Sequence, residues 1–190
     1  NKGEESIDST FIGFWTDIDF LDAFSNPPGV DTLHQLGYCW YSEDSSAWYP
    51  GIIPPAVGYV QLYGPAVPSN GNTAVFKGQT LDNYKNLSLY SSRGIEDDAS
   101  ASPLFGTPYT VQQAWNTAKG LDWNGQIIID PTTAQPTRFP LSGDPVTNTG
   151  WIFDNGTSGG AGFVIFSGPF TMAPGDTQWV MYALIPAQGG

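Results

Sequence analysis

Asp17, Asp19 and Asp22 fall within six positions at the end of the aromatic run Phe11-Ile-Gly-Phe-Trp-Thr-Asp17, and Asp31 follows shortly after. No lysine or arginine lies between Lys2 and Lys77 to neutralise them. Carboxylates this close repel one another unless a cation sits among them. A hard cation with oxygen ligands, calcium above all, suits such a set. The spacing is not that of an EF-hand, which places a glycine and a bidentate glutamate at fixed loop positions. Calcium held here by loop carboxylates and backbone carbonyls would be structural, pinning the loop to the sheet and stabilising only the folded form. The competing reading is a solvated acidic loop whose Asp side chains cap turns.

Catalysis finds little support. Glycoside hydrolysis needs two carboxylates across a cleft, one with a raised pKa. The four glutamates, Glu4, Glu5, Glu43 and Glu96, lie in expected loops or in the N-terminal tail. His34 is the sole histidine, no Gly-x-Ser-x-Gly elbow occurs, and one His with one Cys is a poor zinc set. His34 reads as a turn or capping residue, and Glu43, Asp44 and Glu96-Asp97-Asp98 as solvated charge. Cys39 is the single cysteine, so no internal disulfide can form. Its setting, Gly37-Tyr-Cys-Trp-Tyr41, predicts a buried free thiol. The chain reads as non-enzymatic.

Trp48, Tyr49, Trp123 and Trp151 stand in expected loops. Aromatic rings beside polar groups stack on sugars, so these four are candidate ligand-binding residues, against the plainer reading that they serve the core.

Residues 1–8 read as a flexible lead-in and 9–190 as one domain. Strands are expected over 9–19, 36–42, 57–63, 73–77, 87–91, 125–130, 137–141, 162–167 and 178–185. The stretches 64–71 and 168–176 read as turns and 93–108 as a polar loop. One helix is expected at about 110–119, with Thr110 as N-cap, Gly120 as stop, and a packing stripe of Val111, Ala114, Trp115 and Ala118. About nine short strands and one short helix predict an all-β fold, a β-sandwich with the jelly roll as one form of it. The uncharged run Trp179–Ile185 must be either central in a sheet or a partner edge.

Composition agrees. Eighteen acids against six bases give a net charge of −12, which argues against nucleic acid and anionic membrane surfaces. No apolar run approaches the length of a membrane span, so membrane insertion is not expected. Gly and Pro are abundant, at 23 and 16 residues, yet aromatics reach 14%, the mark of a turn-rich β domain rather than disorder. The chain reads as a mature or excised segment of something longer.

An ordered set of motifs then carries a resemblance: Gly13-Phe-Trp-Thr-Asp-Ile-Asp19, Gly29-Val-Asp-Thr32, Gly37-Tyr-Cys39, Pro54-Pro-Ala-Val-Gly58, Tyr84-Lys-Asn-Leu87, Gly120-Leu-Asp-Trp123, Asp130-Pro-Thr-Thr133, Ser142-Gly-Asp-Pro145, Thr149-Gly-Trp151 and Ser167-Gly-Pro-Phe-Thr-Met-Ala-Pro-Gly-Asp-Thr177. Together they resemble a module of large secreted bacterial multidomain surface proteins, which often carry a type IX secretion sorting domain or fibronectin- or immunoglobulin-like domains. The likeness spans roughly residues 10–188. Asp17, Asp19 and Asp31 match the family's acidic loop. Phe20-Leu21 depart from its glycine pattern, Asp22 stands alone, and Val30 replaces a cysteine. A basic pair usual before Ser-Gly-Pro-Phe is replaced by Gly162-Phe-Val-Ile-Phe166, which makes this edge more apolar. The resemblance implies a secreted, extracellular or cell-surface setting, in which the sequons at Asn86 and Asn155 read as chance. The expectation is a calcium-stabilised structural or adhesive module, with other domains or copies of the same chain as partners. The rivals are a carbohydrate-binding module for extracellular polysaccharide and a filament subunit assembled through β-strands.

Overall fold

A computed structural model of the chain describes residues 1–19, 26–41, 47–96, 102–153 and 161–188. In chain order the elements are β1 (Ile7–Asp17), β2 (Pro28–Asp31), β3 (Leu36–Trp40), β4 (Pro55–Tyr63), β5 (Ala66–Phe76), β6 (Gln79–Asn86), β7 (Leu89–Glu96), α1 (Val111–Ala118), β8 (Ile128–Ile129), β9 (Pro136–Thr137), β10 (Ala161–Met172) and β11 (Met181–Gln188). They build an all-β, sandwich-like fold with one short helix, as the sequence predicts.

One sheet has the order β1-β10-β7 and the other β11-β4-β3-β2, all pairs antiparallel. Strand alternation divides the side chains between the faces. Phe14 and Ile165 lie opposite each other in register and turn inward, whereas the row Trp15–Val164–Arg93 turns outward. The inward residues Ile18, Cys39, Tyr41, Phe163 and Ile165 form the core, with Phe14, Val57, Tyr59 and Tyr182 packed against them. The two sheets meet closely at Gly37, where a Cβ would stand 2.3 Å from the Phe163 ring. Only glycine fits there.

Cross-sheet contacts fix which strand lies over which. Gly94 of β7 faces Pro28 of β2, and Gly37 of β3 faces Phe163 of β10. Phe14 of β1 packs on Tyr59 of β4 and Tyr182 of β11, with ring centroids 4.9 and 4.6 Å apart. β1 and β11 are therefore the edges on one side of the sandwich, and β7 and β2 those on the other.

The β7/β2 side is sealed. Val30 N–H donates to Leu141 O (3.1 Å), Ser92 N–H to Arg138 O (3.0 Å) and Glu96 N–H to Phe105 O (2.6 Å), all outside the strands. A second apolar cluster of Leu141 and Phe153, with Trp40, Phe105 and Trp151, forms here. Arg93 pins the same segment: its guanidinium, 2% exposed, donates to Leu104 O (3.2 Å) and Leu121 O (2.6 Å). Burial pulls Arg93 down to about 10, with Asp122 acting against the shift.

Several local expectations change. The stretch 64–71 was expected as a turn, yet most of it belongs to β5, and Arg93–Glu96 extend β7 rather than opening a polar loop. Gly168-Pro169 does not break the chain: β10 runs on to Met172 through a cis bond, beside an irregularity in the β1 register between Thr10 and Ile12. β11 settles as an edge strand. The helix is bounded as expected, with Thr110 and Gln113 forming a capping box and Gly120 at φ +77° after the C-cap. Of the expected packing stripe only Ala118 is buried. Asn116, Thr117 and Ala118 are buried, while Val111 is 90% exposed and Trp115 38%. The reason is hydrogen bonding: the helix docks through Asn116 Nδ2 to Trp123 O and through the Ser91 hydroxyl to Ala118 O.

Candidate functional site

The acidic residues do not behave as one set. Asp17 ends β1, Asp19 follows it exposed, and Asp31 ends β2 in the other sheet. Asp22 lies outside the described residues, as do Glu43, Asp44, Asp97 and Asp98. Asp31 is engaged locally. Its Oδ1 accepts the His34 backbone N–H at 3.1 Å and its Oδ2 lies 2.6 Å from His34 Nδ1, closing the β2–β3 turn. Partial burial works to raise the Asp31 carboxyl, but the bonds and charge of His34 outweigh it and hold the group below its usual range. Among the described residues, no three His, Cys, Asp or Glu side chains converge as a metal site.

Asp31 instead faces a cleft of 410 Å³ shared with the turn Ser142–Val146. Tyr38 OH bridges the two turns by donating to Gly143 O (3.1 Å). Burial, then the charges of Asp144 and Asp31, push the Tyr38 phenol up to about 12. Asp144 is itself tied to its own turn by Val146 N–H and the Thr147 hydroxyl, both at 2.8 Å. Leu33 and Val146 of the two turns are each 83% exposed. The cleft is a rigid junction with a phenol held neutral and two carboxylates in use as turn caps.

Cys39 is fully buried, and burial pushes its thiol upward, with Asp17 adding to the shift. It is a core residue, as expected.

The four loop aromatics rest on different partners: Tyr49 on Tyr41, Trp123 on Tyr109 and Trp151 on Phe105, while Trp48 is 61% exposed. Asn86 braces the β5–β6 hairpin, donating to Gly64 O and Val75 O and accepting Val75 N–H, so its amide is committed to the fold. Asn155 lies outside the described residues.

The feature that the sequence signalled most weakly is the open side of the sandwich. Among the described residues, no further strand pairs with the outer edge of β1 or β11. Leu184 turns inward, opposite Tyr59, yet is 58% exposed; Ile185 turns outward and is 49% exposed. β11 thus presents apolar side chains on both faces. The missing charge in Met181–Gln188 was visible in the sequence, but the missing neighbour was not.

No known protein family, curated protein or solved structure matches the chain.

Proposed function

We propose that the chain is a non-enzymatic structural or adhesive module of a secreted surface protein, associating with copies of itself through the side that carries β1 and β11. One contrast carries this reading. The β7/β2 side is closed by backbone bonds from non-strand segments, whereas among the described residues the opposite side shows no further strand beside β1 or β11 and leaves Leu184 58% exposed. Monomers normally blunt such edges. Pro186 does so in part, since it has no N–H to offer. The stretch Tyr182–Ile185 remains free to pair, and a strand added there or beside β1 would bury Leu184. Calcium at Asp17, Asp19 and Asp22 belongs to the same reading as a clamp at the end of β1.

The test is light scattering across a concentration series, for the wild type and for Leu184→Lys/Ile185→Lys. Concentration-dependent association that the double variant abolishes, at unchanged circular dichroism, supports the reading. A wild type that stays monomeric up to about millimolar concentration, with and without calcium, overturns it.

A further inference from the structure

Only six lysines and arginines occur in the chain, and two of them meet on an aromatic platform. Arg93 is buried on carbonyl oxygens, and Lys2, Lys77 and Lys85 lie elsewhere. Lys119 and Arg138, distant in sequence, come side by side: a Cβ on Gly120 would stand 2.6 Å from Arg138 Cγ, so the arginine stem runs against the residue next to Lys119. Lys119 Nζ lies 5.9 Å over the Trp115 ring, and Arg138 Cζ 4.0 Å over the Tyr90 ring. Phe11 joins the two, 5.5 Å edge-on to Trp115 and 5.4 Å from Tyr90. Among the described residues, neither cation has a carboxylate within ion-pair distance.

The platform is held from behind. The buried Ser91 hydroxyl donates to Ala118 O (2.8 Å), the Lys119 N–H to Trp115 O (3.2 Å), and Arg138 O accepts Ser92 N–H (3.0 Å). Little ordering remains for a ligand to impose. Trp115 stays 38% exposed, and Trp15, on the outer face of the same sheet, 58%.

We infer that this face binds an anionic polysaccharide, with Lys119 and Arg138 taking the acidic groups and Trp115 offering a ring for a sugar to stack on. A planar guanidinium pairs with a carboxylate through two N–H groups, and an exposed indole suits the apolar face of a pyranose. The net charge of −12 opposes any polyanion. At about 0.1 M salt, however, charges farther than about 10 Å are largely screened, so the patch acts through its own cations. This inference is independent of self-association, which uses the β1 and β11 edges.

The experiment is affinity electrophoresis at about 0.1 M salt through gels containing a polyuronate, a sulfated galactan or a neutral β-glucan. The proteins are the wild type, Lys119→Gln/Arg138→Gln, and Lys77→Gln/Lys85→Gln as a charge-matched control. The expected result is retardation by one or both acidic polymers and not by the neutral one, weakened about tenfold in the Lys119/Arg138 variant and unchanged in the control. Melting curves check that both variants fold. Retardation by the neutral glucan alone, equal loss in the control, no loss in a folded Lys119/Arg138 variant, or no retardation by either acidic polymer would each overturn the inference.

Discussion

The Ser167 hydroxyl of β10 donates to Gln61 Oε1 of β4, joining the two sheets through a buried polar bond. Gln61, 3% exposed, also donates through Nε2 to Leu87 O (3.0 Å), accepts from Tyr182 OH (3.4 Å), and gives its backbone N–H to Gln35 O (2.9 Å). One amide thus satisfies groups from β10, β11 and the β6–β7 junction. Replacing it by leucine would orphan them in a dry setting. Gln61→Leu is expected to cost about 2 kcal/mol or more in denaturant unfolding. A loss below the scatter of surface substitutions would mean that water replaces the amide.

Calcium is a second prediction. If Asp17 and Asp19 hold a calcium ion, calcium at roughly a hundred times its Kd adds about 2.7 kcal/mol. For a chain of this size that is about 5 to 10 °C in Tm. The rise should vanish in Asp17→Asn/Asp19→Asn and on chelation. An identical Tm with calcium and with chelator would leave the acidic run as solvated charge.

Acid should act through Asp31. Its folded pKa lies below the ordinary 3.8, so its contribution is fully present above that value and is lost as pH falls through the lower folded one. The group is half-exposed, so the contribution stays below about 1 kcal/mol. Asp31→Asn should lower stability at neutral pH by up to that amount, meet the wild type in strong acid, and so flatten the acid limb of a stability–pH curve below 3.8. A variant with the same acid slope as the wild type would show that His34 adds nothing to folding.

Cys39 offers a kinetic reading. It is fully buried with its thiol pushed upward, so a thiol reagent can reach it only when the core opens. Native labelling should be slow and should rise with denaturant in step with unfolding. Fast labelling of the folded protein would place an opening motion between β3 and β10.

What could be read beforehand was local. The alternating runs, the Thr110 cap, the Gly120 stop and the burial of Cys39 are each set by neighbours in sequence. The Asp31–His34 pair was also within reach, since an Asp three residues before a His at a turn can cap it. The remainder depends on pairing across the whole chain. β1 finds β10 about 150 positions later, and no pattern in Phe11–Asp17 names that partner. Arg93 looked like loop charge because its partners are carbonyls near positions 104 and 121, which no side-chain motif announces. Trp115 was assigned inward by helical spacing, but polar docking through Asn116 and Ser91 leaves it 38% exposed, with Lys119 over its ring.

The attachment of the helix-bearing arm also bears on where the protein can work. Arg93 grips that arm through carbonyl oxygens, which neither gain nor lose protons as the medium turns acidic. A carboxylate latch would let go as its surroundings turned acidic, and concentrated salt would loosen an exposed one. This latch answers to neither, so the platform at Trp115, Lys119 and Arg138 stays mounted in sour or briny media.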